Sequence, residues 1–270
     1  MIELGQLLAG PFACTILAYF GAEVIKVEAP TGDPIRGWRV VQDGTSLWYR
    51  SLGRNKKSVT LDLKSERGRA LVLQLLDSAD VLVENFRPGA MEDWGLGPDV
   101  VKARNPRLVY ARISGYGQTG PYASKPGYAS VTEAFGGFRY INGEPGKAPV
   151  RPNISLGDTV AGLHAALGIT LALLQRAQPG GEGQVVDVAL YESVFNLLEG
   201  MIPEYDGAGV VREPAGTTVT GIVPTNTYHC DDGKYVVIGG NGDAIFKRLM
   251  TVAGRSDMAA DPELADNVGR

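Results

Sequence analysis

The sequence predicts an α/β fold built on a parallel sheet, and three observations carry that prediction. Short runs rich in β-branched residues alternate with helical patterns through the first half, the spacing of strand–helix–strand crossover units. The run "VLVEN" (81–85) is apolar without alternation, as in a strand covered on both faces. Gly (36) and Pro (16) punctuate the chain at the ends of these runs without a collagen period, so they supply turns.

The elements follow in order. "MIELG" reads as the last turn of a first strand rather than its start, and "GPFACTILAYFG" as an apolar helix holding Cys14. "EVIKVEAP" (23–30) is a strand ended by proline, and "SVTLDL" (58–63) a strand with alternating apolar residues. "SERGRALVLQLLDSAD" (65–80) is a helix with Ser65 as N-cap and Leu71, Leu75 and Leu76 inward. "RLVYARISGYG" (107–117) is a further strand. "DTVAGLHAALGITLALLQRAQ" (158–178) is apolar on most faces and so a buried helix, stopped by Pro179-Gly180-Gly181. "GQVVDVAL" (183–190) is a strand and "YESVFNLLEGM" (191–201) a helix. Residues 203–225 are a Gly/Pro/Thr-rich connector. Residues 225–240 form a hairpin turning at Asp231-Asp232-Gly233, and "DAIFKRLMTVAG" (243–254) is an amphipathic helix. This gives a large domain over 1–202, a connector over 203–225 and an incomplete small α+β domain over 226–270. Both ends look cut, with "LADNVGR" lacking a capping element. Ligands of such a sheet belong beyond the carboxyl ends of its strands.

With 44% apolar and 21% charged residues the composition is that of a globular protein. No run of about 20 apolar residues suggests a membrane span, and no secretory signal is apparent. Two cysteines and two histidines argue against a disulfide scaffold or a histidine-rich metal site and point to the cytoplasm. The net charge of −4 hides an asymmetry: residues 1–135 carry 16 basic and 14 acidic residues, residues 136–270 carry 10 and 16. The most basic stretch, 36–69, holds Arg36, Arg39, Arg50, Arg54, Lys56, Lys57, Lys64, Arg67 and Arg69. A basic patch in an acidic protein is a poor nucleic-acid footprint but suits a small polyanion; a solvated surface is the plain alternative.

Three motifs can carry chemistry. In "SLGDTVAGLH" (155–164) Asp158 opens the long helix. It serves as an N-cap, or as a carboxylate kept ionised by the helix end and able to form a covalent acyl intermediate. "VENFRPG" (83–89) places Asn85, Phe86 and Arg87 past a strand, where they form a turn or hold phosphate or pantetheine. "VIGGNGD" (237–243) sets Gly239, Gly240, Asn241 and Gly242 after a strand, either as a strand-to-helix turn capped by Asp243 or as backbone that approaches a ligand. His164, about 240° around the helix from Asp158, cannot face it and reads as a packed core residue. Cys14 reads as structural. No Walker loop, G-x-S-x-G elbow or dinucleotide fingerprint is present.

The ordered set "LAGPFACTILAYFGAEVIKVEAPTGDPIRGW" (8–38), "RNKKSVTLDLK" (54–64), "VENFRPG", "RLVYARISGYGQTGPY" (107–122), "LGDTVAGLHAALG" (156–168), "GQVVDVALYESV" (183–194) and "GGNGD" (239–243) resembles the class III CoA-transferases, and the resemblance covers nearly the whole chain. It implies a Rossmann-like large domain, a small domain and a returning segment that closes a ring, with two rings interlocked as a homodimer. Members run to about 400 residues, so the chain resembles the family without its first strand and its C-terminal third. The resemblance implies that Asp158 is the nucleophile. It implies that Gln6, Leu7 and Ala9 line the thioester end of CoA, and that Arg36, Leu61, Lys64, Asn85 and Phe86 contact CoA. Gly239–Gly242 match the glycine loop that shields the aspartyl intermediate. Asp93 stands where formyl-CoA transferases have an arginine and Leu8 where they have a glutamine, which argues against formyl or oxalyl substrates.

The implied activity moves CoA from an acyl-CoA thioester to a free carboxylic acid, with CoA as substrate and no tightly bound cofactor. A 2-methylacyl-CoA racemase of the same fold is a competing reading. Its catalytic histidine falls in a G-H-D element, matched here by "PGYAS" (126–130) with Tyr128 and Ala129. A CoA-binding fragment without turnover is the other. Succinyl-CoA is the expected donor.

Overall fold

The computed structural model describes all 270 residues. Six strands form one sheet: β1 (Ile2–Glu3), β2 (Val24–Glu28), β3 (Lys56–Thr60), β4 (Val81–Glu84), β5 (Val109–Ser114) and β6 (Val185–Ala189). Every pairing is parallel and the order is β3-β2-β1-β4-β5-β6. This is the doubly wound order, whose switch point lies between β1 and β4.

The period-2 geometry of the strands sorts side chains into two cores. Val81 and Val83 of β4, and Val109, Ala111 and Ile113 of β5, join the first core with helices α1 (Ala9–Tyr19) and α5 (Leu156–Arg176). Leu82 and Tyr110 point the other way, to α2 (Glu66–Leu76) and α3 (Pro98–Arg104). Helix α4 (Ala129–Phe135) packs against α5 and α6 (Leu190–Phe195). Ser65 caps α2 by accepting the Gly68 N–H at 3.0 Å. The inward residues of α2 are Gly68, Val72 and Leu76; Leu71, expected inside, is 37% exposed.

Helix α5 departs from the sequence reading. It buries Ala161, Ala165, Ile169 and Ala172, but Leu163, Leu167, Leu171 and Leu174 form a ridge 50–59% exposed. By length and mean hydropathy it is also long and apolar enough to cross a membrane, although His164 and Thr170 break the apolar run. Residues 139–151 and 200–270 cluster as a second compact unit, and residues 1–138 and 152–199 as the first. The sequence reading kept 139–151 in the large domain and began the second part later. The stretch read as pure connector starts helically, within α7 (Met201–Ala208). The second unit also holds the antiparallel hairpin β7 (Thr225–His229) and β8 (Tyr235–Gly239), and α8 (Asp243–Val252).

Candidate functional site

The strands under the switch point carry charged residues at or near their carboxyl ends, and these shape the turns above them. After β1 the chain makes a turn at Gly5-Gln6-Leu7. Asn85, just past β4, grips Gln6 twice: its Oδ1 accepts the Gln6 N–H at 2.7 Å and its Nδ2 donates to the Gln6 carbonyl at 2.9 Å. A Cβ on Gly5 would lie 3.0 Å from Asn85 Oδ1, so this approach uses the missing side chain. Lys26 Nζ donates to the Gly5 carbonyl at 2.8 Å, and Asp33 Oδ1 accepts the Leu7 N–H at 3.1 Å. Leu7 sits at φ 62°, a region leucine seldom visits.

Below this turn runs a buried chain of charges. Lys26 Nζ lies 2.8 Å from Glu3 and 2.9 Å from Asp33, and Lys56 Nζ lies 2.7 Å from Glu3 and donates to the Pro11 carbonyl. Burial works against the charge on Lys26, but Glu3 and Asp33 outweigh it and hold the ammonium well above its ordinary range. Burial pushes the Cys14 thiol well up, so Cys14 is an unreactive packing group.

Arg36 is placed differently from the expectation that it stands ready for phosphate. Its Nε and Nη2 bind Glu28 at 2.6 and 2.7 Å, and its guanidinium lies 3.7 Å from the Tyr49 ring centroid. Glu28 also accepts from Asp33 N–H, Tyr49 Oη and Ser58 Oγ. Burial opposes its ionisation, yet these donors outweigh burial and keep its carboxyl well below the usual range. Burial and Glu28 together push the Tyr49 phenol up to about 12. Much of the basic stretch is similarly engaged: Lys56 is buried on Glu3, Lys57 pairs with Glu23 and Arg50 with Asp43. Lys64 and Arg87 are exposed and take part in no ion pair, and Leu61 is half-buried beside β3.

Past β4, the Phe86 N–H donates to Glu84 Oε2 at 2.7 Å, and the Phe86 ring meets Trp94 edge-on at 5.0 Å. Arg112 bridges Glu84 at 2.8 Å and Glu92 at 2.6 Å. Burial raises the Glu84 carboxyl to about 7 against the pull of Arg112 and the Phe86 amide.

Asp158 is not the N-cap of α5. Ser155 holds that position, and Asp158 is the third helical residue, half-buried in the first turn. Two features fix it. The Gly157 N–H donates to buried Glu133 of α4 at 3.2 Å, and a Cβ on Gly157 would lie 3.2 Å from Ala129 Cβ. One turn on, at Gly162, a Cβ would lie 2.9 Å from the Ala9 carbonyl oxygen and 3.0 Å from Phe12 Cδ1. Residues four apart share a helix face, so Asp158 stands on the face turned to α1, whose first residue is Ala9. Gln6, Leu7 and Asn85 meet at the switch point, Ala9 opens α1 just past them, and Asp158 lies one helical turn before the Gly162 that packs on Ala9. His164 is half-buried rather than core, its ring nitrogens near the Val160 carbonyl and Asn196.

In the second unit, Gly239 ends β8, and none of the three glycines adopts a positive φ. A Cβ on Gly240 would lie 2.6 Å from Leu249 Cδ2, the mobile end of a side chain. Gly242, not Asp243, takes the cap position of α8, and Asn241 Oδ1 is 3.5 Å from Thr225 Oγ1.

Sequence reasoning missed Glu3, Lys26, Asp33 and Glu133. A signal was available for the first two: a charge interrupts each of the apolar strand runs "IEL" and "VIKVE". A charge inside a buried strand needs partners at hand.

A parallel sheet of this order, with a clamped turn at its switch point, defines the class as a doubly wound α/β protein. The sequence pattern of CoA-transferase family III matches residues 1–270, and the chain belongs to that family. It is 50% identical to succinyl-CoA–D-citramalate CoA-transferase of Chloroflexus aurantiacus, covering 100% of this chain and 67% of that protein. It is 45% identical to the alpha subunit of succinyl-CoA–L-malate CoA-transferase of the same organism, covering 98% of this chain and 62% of that one. The chain thus spans about two thirds or less of the length of these relatives. A crystal structure of a CAIB/BAIF family protein from Brucella suis superimposes with a TM-score of 0.86 at 35% identity, over 100% of this chain and 72% of that one.

Proposed function

We propose that the protein moves CoA from an acyl-CoA thioester to a free carboxylic acid through a covalent intermediate on Asp158. The observation that supports this reading is that Asp158 lies in the first turn of α5, one turn before the Gly162 that packs on Ala9 at the start of α1. In the proposed reaction the Asp158 carboxylate attacks the acyl carbonyl and expels CoA thiolate, leaving a mixed anhydride. The thiolate attacks the Asp158 side of the anhydride, giving an aspartyl-CoA thioester and the free donor acid. The acceptor carboxylate attacks that thioester and expels thiolate, which then attacks the acceptor carbonyl and releases Asp158. Water has to be excluded throughout, because it would hydrolyse the anhydride.

The exposed cations Lys64 and Arg87 are the best-placed phosphate contacts, with Leu61 and Phe86 offering apolar surface to the adenine or pantetheine. The names of the relatives support succinyl-CoA as donor and a hydroxy-dicarboxylic acid as acceptor. A homodimer in the cytoplasm fits the exposed leucine ridge of α5 and the two free cysteines. Against the racemase reading, Tyr128 and Ala129 offer no imidazole at the place where that reaction needs one.

The test is substitution of Asp158 by Asn and by Ala, with turnover measured using succinyl-CoA and a panel of dicarboxylic acids by mass spectrometry. Both variants should lose transfer, and hydroxylamine added during wild-type turnover should convert Asp158 to a hydroxamate. Wild-type turnover by Asp158→Ala would overturn the reading.

A further inference from the structure

A strained backbone persists only where its surroundings over-determine it, and such places cluster where a ligand must meet fixed geometry. Leu7, at φ 62°, is the strained residue of the switch-point turn, and one side chain does most to hold it there. Asp33 Oδ1 accepts the N–H of Leu7 and of Ile35, each at 3.1 Å. Its Oδ2 lies 2.9 Å from Lys26 Nζ, and that ammonium holds the Gly5 carbonyl. The Asp33 N–H donates to Glu28 at 2.8 Å, the carboxylate that fixes Arg36. Asp33 is 2% exposed, so it does not meet a ligand itself.

We infer that Asp33 is a positioning residue for the acyl-CoA site: by accepting the Leu7 N–H it fixes the Gly5-Gln6-Leu7 turn against which the reacting end of the thioester is set. The inference rests on the acyl-CoA reading above. A buried carboxylate needed only for stability would make charge neutralisation and truncation comparably harmful, and would leave turnover per folded molecule untouched. A positioning carboxylate acts through its acceptor oxygen. Asp33→Asn keeps an oxygen for the Leu7 and Ile35 amides, while Asp33→Ala removes it.

The experiment compares both variants with the unsubstituted protein, measuring the folded fraction, the dissociation constant for CoA by calorimetry and kcat with succinyl-CoA. Asp33→Ala should lower kcat per folded molecule about 10- to 100-fold, because a misplacement of about 1 Å costs that much, while CoA affinity changes less than about threefold. Asp33→Asn should restore kcat to within about threefold of the unsubstituted value. Should Asp33→Ala fail to fold, Leu7→Gly decides: glycine occupies φ 62° freely and leaves the turn loose, so kcat should fall while thermal stability holds. Unchanged kcat in a folded Asp33→Ala, or in Leu7→Gly when the former does not fold, overturns the role. So does equal loss in the Asn and Ala variants. Absence of CoA binding and turnover in the unsubstituted protein would instead overturn the acyl-CoA reading, and this role with it.

Discussion

Substituting Gly162 by Ala probes the spacing of α1 and α5 with a single methyl group. An added Cβ would stand 2.9 Å from the Ala9 carbonyl oxygen, 3.0 Å from Phe12 Cδ1 and 3.3 Å from Ala13 N. Against an ordinary contact of about 3.5 Å, the carbonyl clash is about 0.6 Å. Two of the three neighbours are backbone of α1, so the helices must separate rather than a side chain turn away. Overpacking of this kind costs about 1–3 kcal/mol, offset by about 1 kcal/mol from the better helix propensity of alanine. The net loss is about 0–2 kcal/mol, a fall in Tm of at most about 8 °C for a unit of this size. The separation carries Asp158 away from Ala9 and the Gln6–Leu7 turn, so turnover should drop about tenfold or more, out of proportion to stability. Gly168→Ala is the control. On the same helix its Cβ would meet only the Val186 Cγ1, at 2.8 Å, so stability can change while turnover should not. Thermal melts followed by circular dichroism, with kcat on the same samples, decide the matter. A Gly162→Ala protein with raised Tm and unchanged kcat would refute the close helix contact and its link to Asp158.

Three further outcomes follow from the charged groups. Lys64→Ala and Arg87→Ala should each raise KM for acyl-CoA about 10- to 100-fold with little change in kcat, since phosphate binding is shared by ground and transition states. Arg36→Ala should instead lower Tm, because it strips Glu28 of a bidentate partner; KM shifts confined to Arg36 would reverse this assignment. The Glu84 carboxyl, raised to about 7 in the folded protein, makes a contribution to stability that is full below about pH 4.5 and is lost as pH rises through 7. The unfolding free energy of the wild type minus that of Glu84→Gln should decline over that window by an amount on the order of 3 kcal/mol; a flat difference contradicts it.

Much of the fold was legible because strand and helix periods are local. "VLVEN", "RLVYARISGYG" and the Ser65 cap are written in contiguous residues, and the observed elements lie where those patterns put them, within a few residues at each end. Errors arose where burial depends on what lies opposite. Leu71 and the leucines of α5 are apolar by composition, yet only one face of each helix is covered, and the small residues Gly68, Ala161 and Gly162 lie on the covered face.

The sequence by itself determined the α/β class, the family through an ordered set of motifs, and Asp158 and Asn85 as residues of interest, because each depends on neighbours in the chain or on motif order. Only the tertiary structure decided that Arg36 is bound to Glu28, that Asn85 braces Gln6, and that Asp33 accepts the N–H of Leu7, which sits at φ 62°. These pairings join residues up to 79 positions apart. A charge in a sequence looks alike whether it faces water or a buried carboxylate, and the desolvation that separates those two cases exists only once the strands lie side by side.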